Sequence, residues 1–218
     1  MTKKLSLHHI VRTAKDSTTK APLLILLHGY GSNEEDLFSF ASELPEEFFI
    51  VSVRAPFDLQ PYGHSWYDIH FTADNEKFSD DDQAIQSRNL IANFIDELIA
   101  TYPVDGDNVS LIGFSQGTIL SYAVALSYPE KVKNVVALSG YINETIISKD
   151  LNSKDHSNLD IYISHGSVDQ VIPNTLANKA PEFLNNLNIK NSYREFPVGH
   201  GVAPQNFFEF KNWLVERL

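Results

Sequence analysis

Short unbroken apolar runs rich in β-branched residues recur along the chain at 23–27, 48–53, 109–112, 135–138 and 161–163. Continuous rather than alternating hydrophobicity predicts strands buried on both faces, the pattern of a parallel sheet. A further strand is expected at 192–196. Between the runs the period changes to that of a helix. Ala84, Ile85, Ile91, Phe94, Ile95, Leu98 and Ile99 form an apolar stripe behind three aspartates suited to an N-cap. Ile119, Tyr122, Ala123 and Leu126 form a second stripe that ends at Pro129, and Phe207, Phe210, Trp213 and Leu214 form a third. Ser32 and Glu35 have the capping-box spacing ahead of Leu37, Phe38 and Phe40. A helix from about Pro173 through Leu187 is expected to be kinked or split by Pro181. Alternating strands and helices predict an α/β fold, with a mostly parallel central sheet and helices on both faces. The connections 55–79 and 141–158 are unusually long for such a domain, and long loops in compact domains are commonly functional.

Composition narrows the class. Seventeen Lys and Arg against 28 Asp and Glu leave a net charge of −11. A phosphate-binding surface needs a basic footprint, so nucleic acid is not an expected partner, and an anionic bilayer would repel the chain. The 218 residues suit a single domain over 1–218. Cysteine is absent, which removes disulfides, thiolate metal sites and a thiol nucleophile. The longest apolar run, 21–27, is too short to span a bilayer. The first residues lack the apolar core of a secretory signal, so the expectation is a cytoplasmic protein without stable membrane anchoring.

Gly113-Phe114-Ser115-Gln116-Gly117 matches G-x-S-x-G and stands between a predicted strand and a predicted helix. That context presents a serine hydroxyl on a sharp turn, with flanking glycines where a Cβ would crowd strand and helix. The competing reading is a plain Gly-Ser turn. A serine needs a base, and the base needs an orienting acid. The elbow goes with the chain order nucleophile, acid, histidine, and only His156, His165 and His200 follow Ser115. His156 lies in a polar loop and His165 ends a strand. His200, between two glycines in the loop before the last helix, is free to turn its ring toward another loop. A structural histidine is the bland alternative. For the acid, Asp150 and Asp155 lie in the polar connection and Asp160 starts a strand at the wrong end of the sheet. Asp169 follows that strand's end, with Glu195 a weaker substitute. Two backbone amides should receive the developing oxyanion, Gln116 after the nucleophile and Tyr30 in His28-Gly29-Tyr30-Gly31.

These motifs, together with Arg54-Ala55-Pro56, Trp66-Tyr67-Asp68, Leu138-Ser139-Gly140 and His165-Gly166-Ser167-Val168-Asp169, make the chain from Leu24 onward resemble the carboxylesterase, phospholipase and acyl-protein thioesterase family of α/β-hydrolases. The resemblance implies a triad of Ser115, Asp169 and His200, an oxyanion hole from Tyr30 and Gln116, no metal or organic cofactor, and a homodimer as the assembly to expect. The sequence departs from the family's eukaryotic thioesterases at 32–36 and at Thr118, where those tend to have glycine.

The expected function is hydrolysis of short to medium acyl esters through an acyl-enzyme, lysophospholipase- or thioesterase-like action included. Activity should rise with pH as the histidine becomes neutral. The alternatives are acyl transfer to an alcohol from the same intermediate, and a non-catalytic binding protein on this fold. Phe57, Tyr62, Trp66, Tyr67, Phe71 and Phe78 make 55–79 dense in aromatics. Trp66, Tyr67 and Phe71 are the expected substrate contacts, against the alternative of a self-packed Ω-loop. The connection 141–158 is too short and polar for a cap domain, so the site is expected to be shallow and open. Arg54 is the residue placed to offset the acidic surroundings.

Overall fold

The computed structural model describes residues 5–16, 18–71 and 77–218. Eleven strands occur among them: β1 (His9–Arg12), β2 (Ala21–Leu27), β3 (Phe49–Val53), β4 (Phe57–Asp58), β5 (His64–Ser65), β6 (Ile69–Phe71), β7 (Lys77–Ser79), β8 (Val104–Phe114), β9 (Asn134–Leu138), β10 (Asp160–Gly166) and β11 (Lys190–Phe196). Seven form one sheet in the order β1-β3-β2-β8-β9-β10-β11, with every pairing parallel except β1 against β3. The helices are α1 (Glu35–Phe38), α2 (Asp81–Thr101), α3 (Gln116–Ser127), α4 (Asn174–Ala177), α5 (Ala180–Asn186) and α6 (Pro204–Val215).

The unbroken apolar runs have the cause their pattern predicts. On β2, Leu23, Ile25 and Leu27 pack with the layer of α2, α3 and α5, while Leu24 and Leu26 pack with α1 and α6 on the opposite face. Each fully buried side chain of this kind contributes about 1.5–3 kcal/mol. Helix α3 is buried along its whole length, whereas α2 and α6 bury one stripe. Asp80 caps α2 by accepting the Gln83 N–H at 3.0 Å. The expected break near Pro181 occurs as two helices, α4 and α5, with Pro181 in the first turn of the second, where its missing N–H costs nothing.

Several expectations require correction. The Ser32–Glu35 capping box does not form: α1 starts from Glu34 without a side-chain cap, and the Ser32 hydroxyl donates to Asp36 Oδ2 at 2.7 Å instead. The segment 55–79 is not irregular throughout, since β4 pairs with β5 and β6 with β7 as two antiparallel ribbons. The half-buried edge strand β1 gives no apolar run. It is fixed by the Arg12 guanidinium, which donates to the carbonyls of Ala41, Leu44, Pro45 and Phe48.

Arg54 is not free to balance the acidic surroundings. Its guanidinium grips the buried Glu34 carboxylate through Nε at 2.7 Å and Nη2 at 2.5 Å. This fork, more than the opposing effect of burial, lowers the Glu34 pKa from 4.5 to about 2. A carboxyl whose folded pKa is depressed stabilises the fold fully above its unfolded pKa, and that stabilisation disappears as pH falls toward the folded value. Allowing for solvent at the partly exposed guanidinium, the contribution is about 2–3 kcal/mol. The urea-unfolding stability of the wild type should therefore exceed that of Glu34→Gln by about this amount at pH 7. Between pH 4.5 and 2 the gap should close. A gap that stays constant with pH would contradict the assignment.

Candidate active site

The ends of β2, β8, β10 and β11 lie along one edge of the sheet, and each leads into a loop carrying one predicted group. Ser115 follows β8 and opens α3 in a strained conformation, φ 54° and ψ −115°. Such a sharp turn is possible because α3 comes very close to β2: a Cβ added to Gly117 would lie 2.0 Å from the Leu27 carbonyl oxygen. Thr118, the departure after the elbow, is accommodated by Gly140, where a Cβ would meet the Thr118 Cβ at 2.5 Å. Its hydroxyl is fully used, lying 2.6 Å from both the Gly113 and Leu138 carbonyls while accepting the Leu138 N–H at 3.0 Å.

The loops after β10 and β11 are tied by the Ser167 N–H to the Phe196 carbonyl at 2.8 Å and the Val168 N–H to the Val198 carbonyl at 3.3 Å. This joins Asp169 to His200. His200 Nδ1 lies 2.7 Å from Asp169 Oδ2, and His200 Nε2 lies 2.9 Å from Ser115 Oγ. A carboxylate oxygen only accepts, so Nδ1 carries the proton and Nε2 is left to accept from the serine hydroxyl. The Phe114 ring packs against the imidazole, with centroids 5.0 Å apart.

Asp169 is buried. Burial alone would raise its pKa, but donation from His200 and from the Ile172 and Val171 amides outweighs burial and lowers it. The two amides reach Oδ1 at 3.0 and 2.8 Å. A second histidine, at the end of β10, lies beside this carboxylate. The His165 side chain is buried, with Nε2 2.9 Å from the Ile172 carbonyl and 3.3 Å from Asp169 Oδ2. The i, i+4 spacing of His165 and Asp169 across the loop was the available signal.

The other candidates lie elsewhere. His156 is buried, with Nε2 3.1 Å from the Leu126 carbonyl. Asp160, at the opposite end of β10, pairs with Arg217 and Lys190. Glu195 accepts from Asn174 and Tyr193 on the edge strand.

Ser115 and His200 open onto a groove of about 420 Å³, whose lining includes Tyr30, Tyr67, Ile119, Tyr141, Ile172 and Leu176. The backbone amides of Tyr30 and Gln116 have no hydrogen-bond partner among the described residues. Of the three expected aromatic contacts, Tyr67 lines the groove, and burial pushes its phenol pKa up. Trp66 does not reach the groove. Its ring is fully buried behind the site, donating through Nε1 to the His28 carbonyl at 2.9 Å. The Phe71 side chain lies outside the described residues, although its backbone ends β6. Gln116 has a role beyond its amide: its side chain accepts the Trp66 N–H at 2.8 Å and donates to the Tyr67 carbonyl at 2.7 Å, fastening this loop to α3. The connection 141–158 contains two short 3₁₀ turns, and Arg88 of α2 donates to its Ile146 carbonyl at 2.6 Å. It therefore packs along α2 and contributes only Tyr141 to the groove. No helix among the described residues is long and apolar enough to cross a membrane.

Comparison with known proteins agrees with this architecture. The chain is similar to a carboxylesterase from Bacillus cereus, with a TM-score of 0.84, 21% identity, and coverage of 98% of this chain and 95% of that one. It is 25% identical to acyl-protein thioesterase 1 of Debaryomyces hansenii over 95% of this chain and 96% of that protein. It is also 25% identical to a probable carboxylesterase of Oryza sativa subsp. japonica, over 71% of this chain and 58% of that protein, so it spans little more than half of that relative's length. The family model described as phospholipase/carboxylesterase matches residues 8–216, nearly the whole of the described fold, and the chain belongs to that family of α/β-hydrolases.

Proposed function

We propose that this protein is a serine carboxylic-ester hydrolase that takes short to medium acyl groups. The observation that carries this reading is the continuous relay from Ser115 Oγ through both nitrogens of His200 to Asp169, with links of 2.9 and 2.7 Å, opening onto a largely apolar groove.

In the proposed reaction Ser115 Oγ attacks the ester carbonyl carbon while its proton passes to His200 Nε2. The carbonyl oxygen becomes an oxyanion received by the Tyr30 and Gln116 amides, each worth about 3 kcal/mol in the transition state. Collapse breaks the bond to the leaving alcohol or thiol, which takes the proton from His200. Water then attacks the acyl-enzyme and gives its proton to His200, which returns it to Ser115 Oγ as the acyl bond breaks and the acid leaves. Asp169 remains ionised and holds the imidazole in the tautomer that this sequence requires. The apolar side chains of Ile69, Ile119, Val171, Ile172 and Leu176 in the groove lining favour uncharged acyl chains over anionic ones.

The purified protein should release p-nitrophenolate from esters of increasing chain length with a stoichiometric burst, the fingerprint of an acyl-enzyme. The kcat/KM optimum should fall between acetate and octanoate and drop for longer chains. No turnover along the whole series would overturn the reading, and an optimum at palmitate would overturn the size preference.

A further inference from the structure

Tyr30 lies in a loop outside any helix or strand, so the direction of its amide needs a physical cause. The buried ring of His28 supplies one. His28 Nε2 receives the Ala55 N–H at 3.0 Å, which makes Nε2 the bare nitrogen and puts the ring proton on Nδ1. Nδ1–H then donates to the Gly29 carbonyl oxygen at 2.7 Å. That oxygen and the Tyr30 N–H are opposite ends of one peptide plane. In a trans peptide they point in opposite directions. Drawing the carbonyl toward a buried ring therefore turns the Tyr30 amide to the other side.

The nucleophile is close by: a Cβ built on Gly29 would stand 3.4 Å from the Ser115 Cβ, and Tyr30 lines the groove with Ser115 and His200. The Ser32 N–H reaches the same Gly29 carbonyl at 3.3 Å. The His28 ring is held in turn by Trp66, whose centroid is 5.6 Å away and whose indole N–H binds the His28 carbonyl. Burial lowers the basicity of His28, and a second ring proton would face the Ala55 N–H donor to donor. The ring therefore stays neutral.

We propose that His28 is a positioning residue for the oxyanion hole, setting the direction of the Tyr30 amide through the Gly29–Tyr30 peptide. The inference rests on the hydrolase reading above, in which that amide receives the oxyanion. It also gives Trp66 a role: bracing the ring rather than touching substrate.

Two variants separate this role from simple support of the fold. The His28→Asn side-chain amide reaches the position of Nδ1 and can still donate to Gly29. His28→Gln reaches the position of Nε2 and can still accept from Ala55, but it loses the Gly29 bond. With p-nitrophenyl butyrate, and rates normalised to folded protein, His28→Gln should lose about 10- to 100-fold in kcat with KM within about twofold. His28→Asn should stay within about fivefold of wild type. Binding of a trifluoromethyl ketone, whose serine adduct carries an oxyanion, should weaken in His28→Gln by the same factor as kcat/KM.

Wild-type kcat in His28→Gln would overturn the proposal, as would parallel losses in both variants that track their melting temperatures. If neither variant folds, ¹⁵N NMR of the wild-type ring decides, since an Nε2-protonated His28 is incompatible with the mechanism. Failure of the hydrolase reading would look different, because the wild type itself would then turn over no ester.

Discussion

Ser115→Ala is expected to remove ester turnover almost completely, lowering kcat on p-nitrophenyl esters by about 10⁴- to 10⁶-fold while leaving KM and the melting temperature nearly unchanged. The size of the effect follows from the chemistry. Without Oγ no acyl-enzyme forms, and the residual rate comes from water attacking a carbonyl polarised by the oxyanion hole. The small structural cost follows from the site. The backbone strain at Ser115, φ 54°, comes from the tight elbow and persists in alanine, and among the described residues the hydroxyl's one side-chain partner is His200. Circular dichroism and urea unfolding beside the kinetics check both halves. Retention of more than about one-hundredth of wild-type kcat would show that another residue is the nucleophile.

Asp169→Asn is the second large effect, expected at about 10⁴-fold in kcat. The introduced side chain can keep its carbonyl oxygen on the Val171 and Ile172 amides, the bonds at 2.8 and 3.0 Å. Its NH₂ then faces His200 Nδ1, which must become an acceptor, and the proton moves to Nε2, where it points at Ser115. The base is lost without displacing it. The charge-assisted bond between Asp169 and His200 also becomes a neutral one, so Asp169→Asn should be less stable than the wild type as well as inactive, by about 0.5–1.5 kcal/mol. Asp169→Ala should restore none of the activity, although its His200 is free of the wrong tautomer, because the imidazolium loses its counter-charge. Activity of Asp169→Asn within tenfold of wild type would place the orienting acid elsewhere.

The parts of this molecule legible in its sequence are those where a local pattern has a single physical cause. Unbroken apolar runs mark β2, β3, β9 and the centre of β8, because strands buried on both faces need apolar residues at every position. The run in β8 shows only at 109–112, since its first half, beginning Val104-Asp105-Gly106-Asp107-Asn108, is polar. The observed strand covers all eleven residues Val104–Phe114. The elbow is legible because Gly113 and Gly117 are required by one close approach of helix to strand, and they flank Ser115. Chain order and strand ends then single out Asp169 and His200, and the structure places them in contact.

What the sequence conceals depends on direction and on long-range pairing. Aromatic density in 55–79 does not show that Trp66 faces inward and Tyr67 the groove, although neighbours on a loop commonly point oppositely. The short edge strand β1 has no apolar run, because half of its surroundings are solvent. Arg54 looks available as a surface cation, but its partner Glu34 lies 20 residues away in sequence within an acidic run that reads only as a helix start. His28 goes unassigned because it acts through a neighbour, the Gly29–Tyr30 peptide.

Ser115 acts, on this mechanism, as a nucleophile activated by His200 and Asp169. The direct test is intact-protein and peptide mass spectrometry after reaction with a fluorophosphonate. One adduct per chain is predicted on the peptide containing Ser115, with strongly slowed labelling in His200→Ala and Asp169→Asn and none in Ser115→Ala. Equal labelling of Ser115→Ala, or an adduct on any other serine of the wild type, would contradict the account.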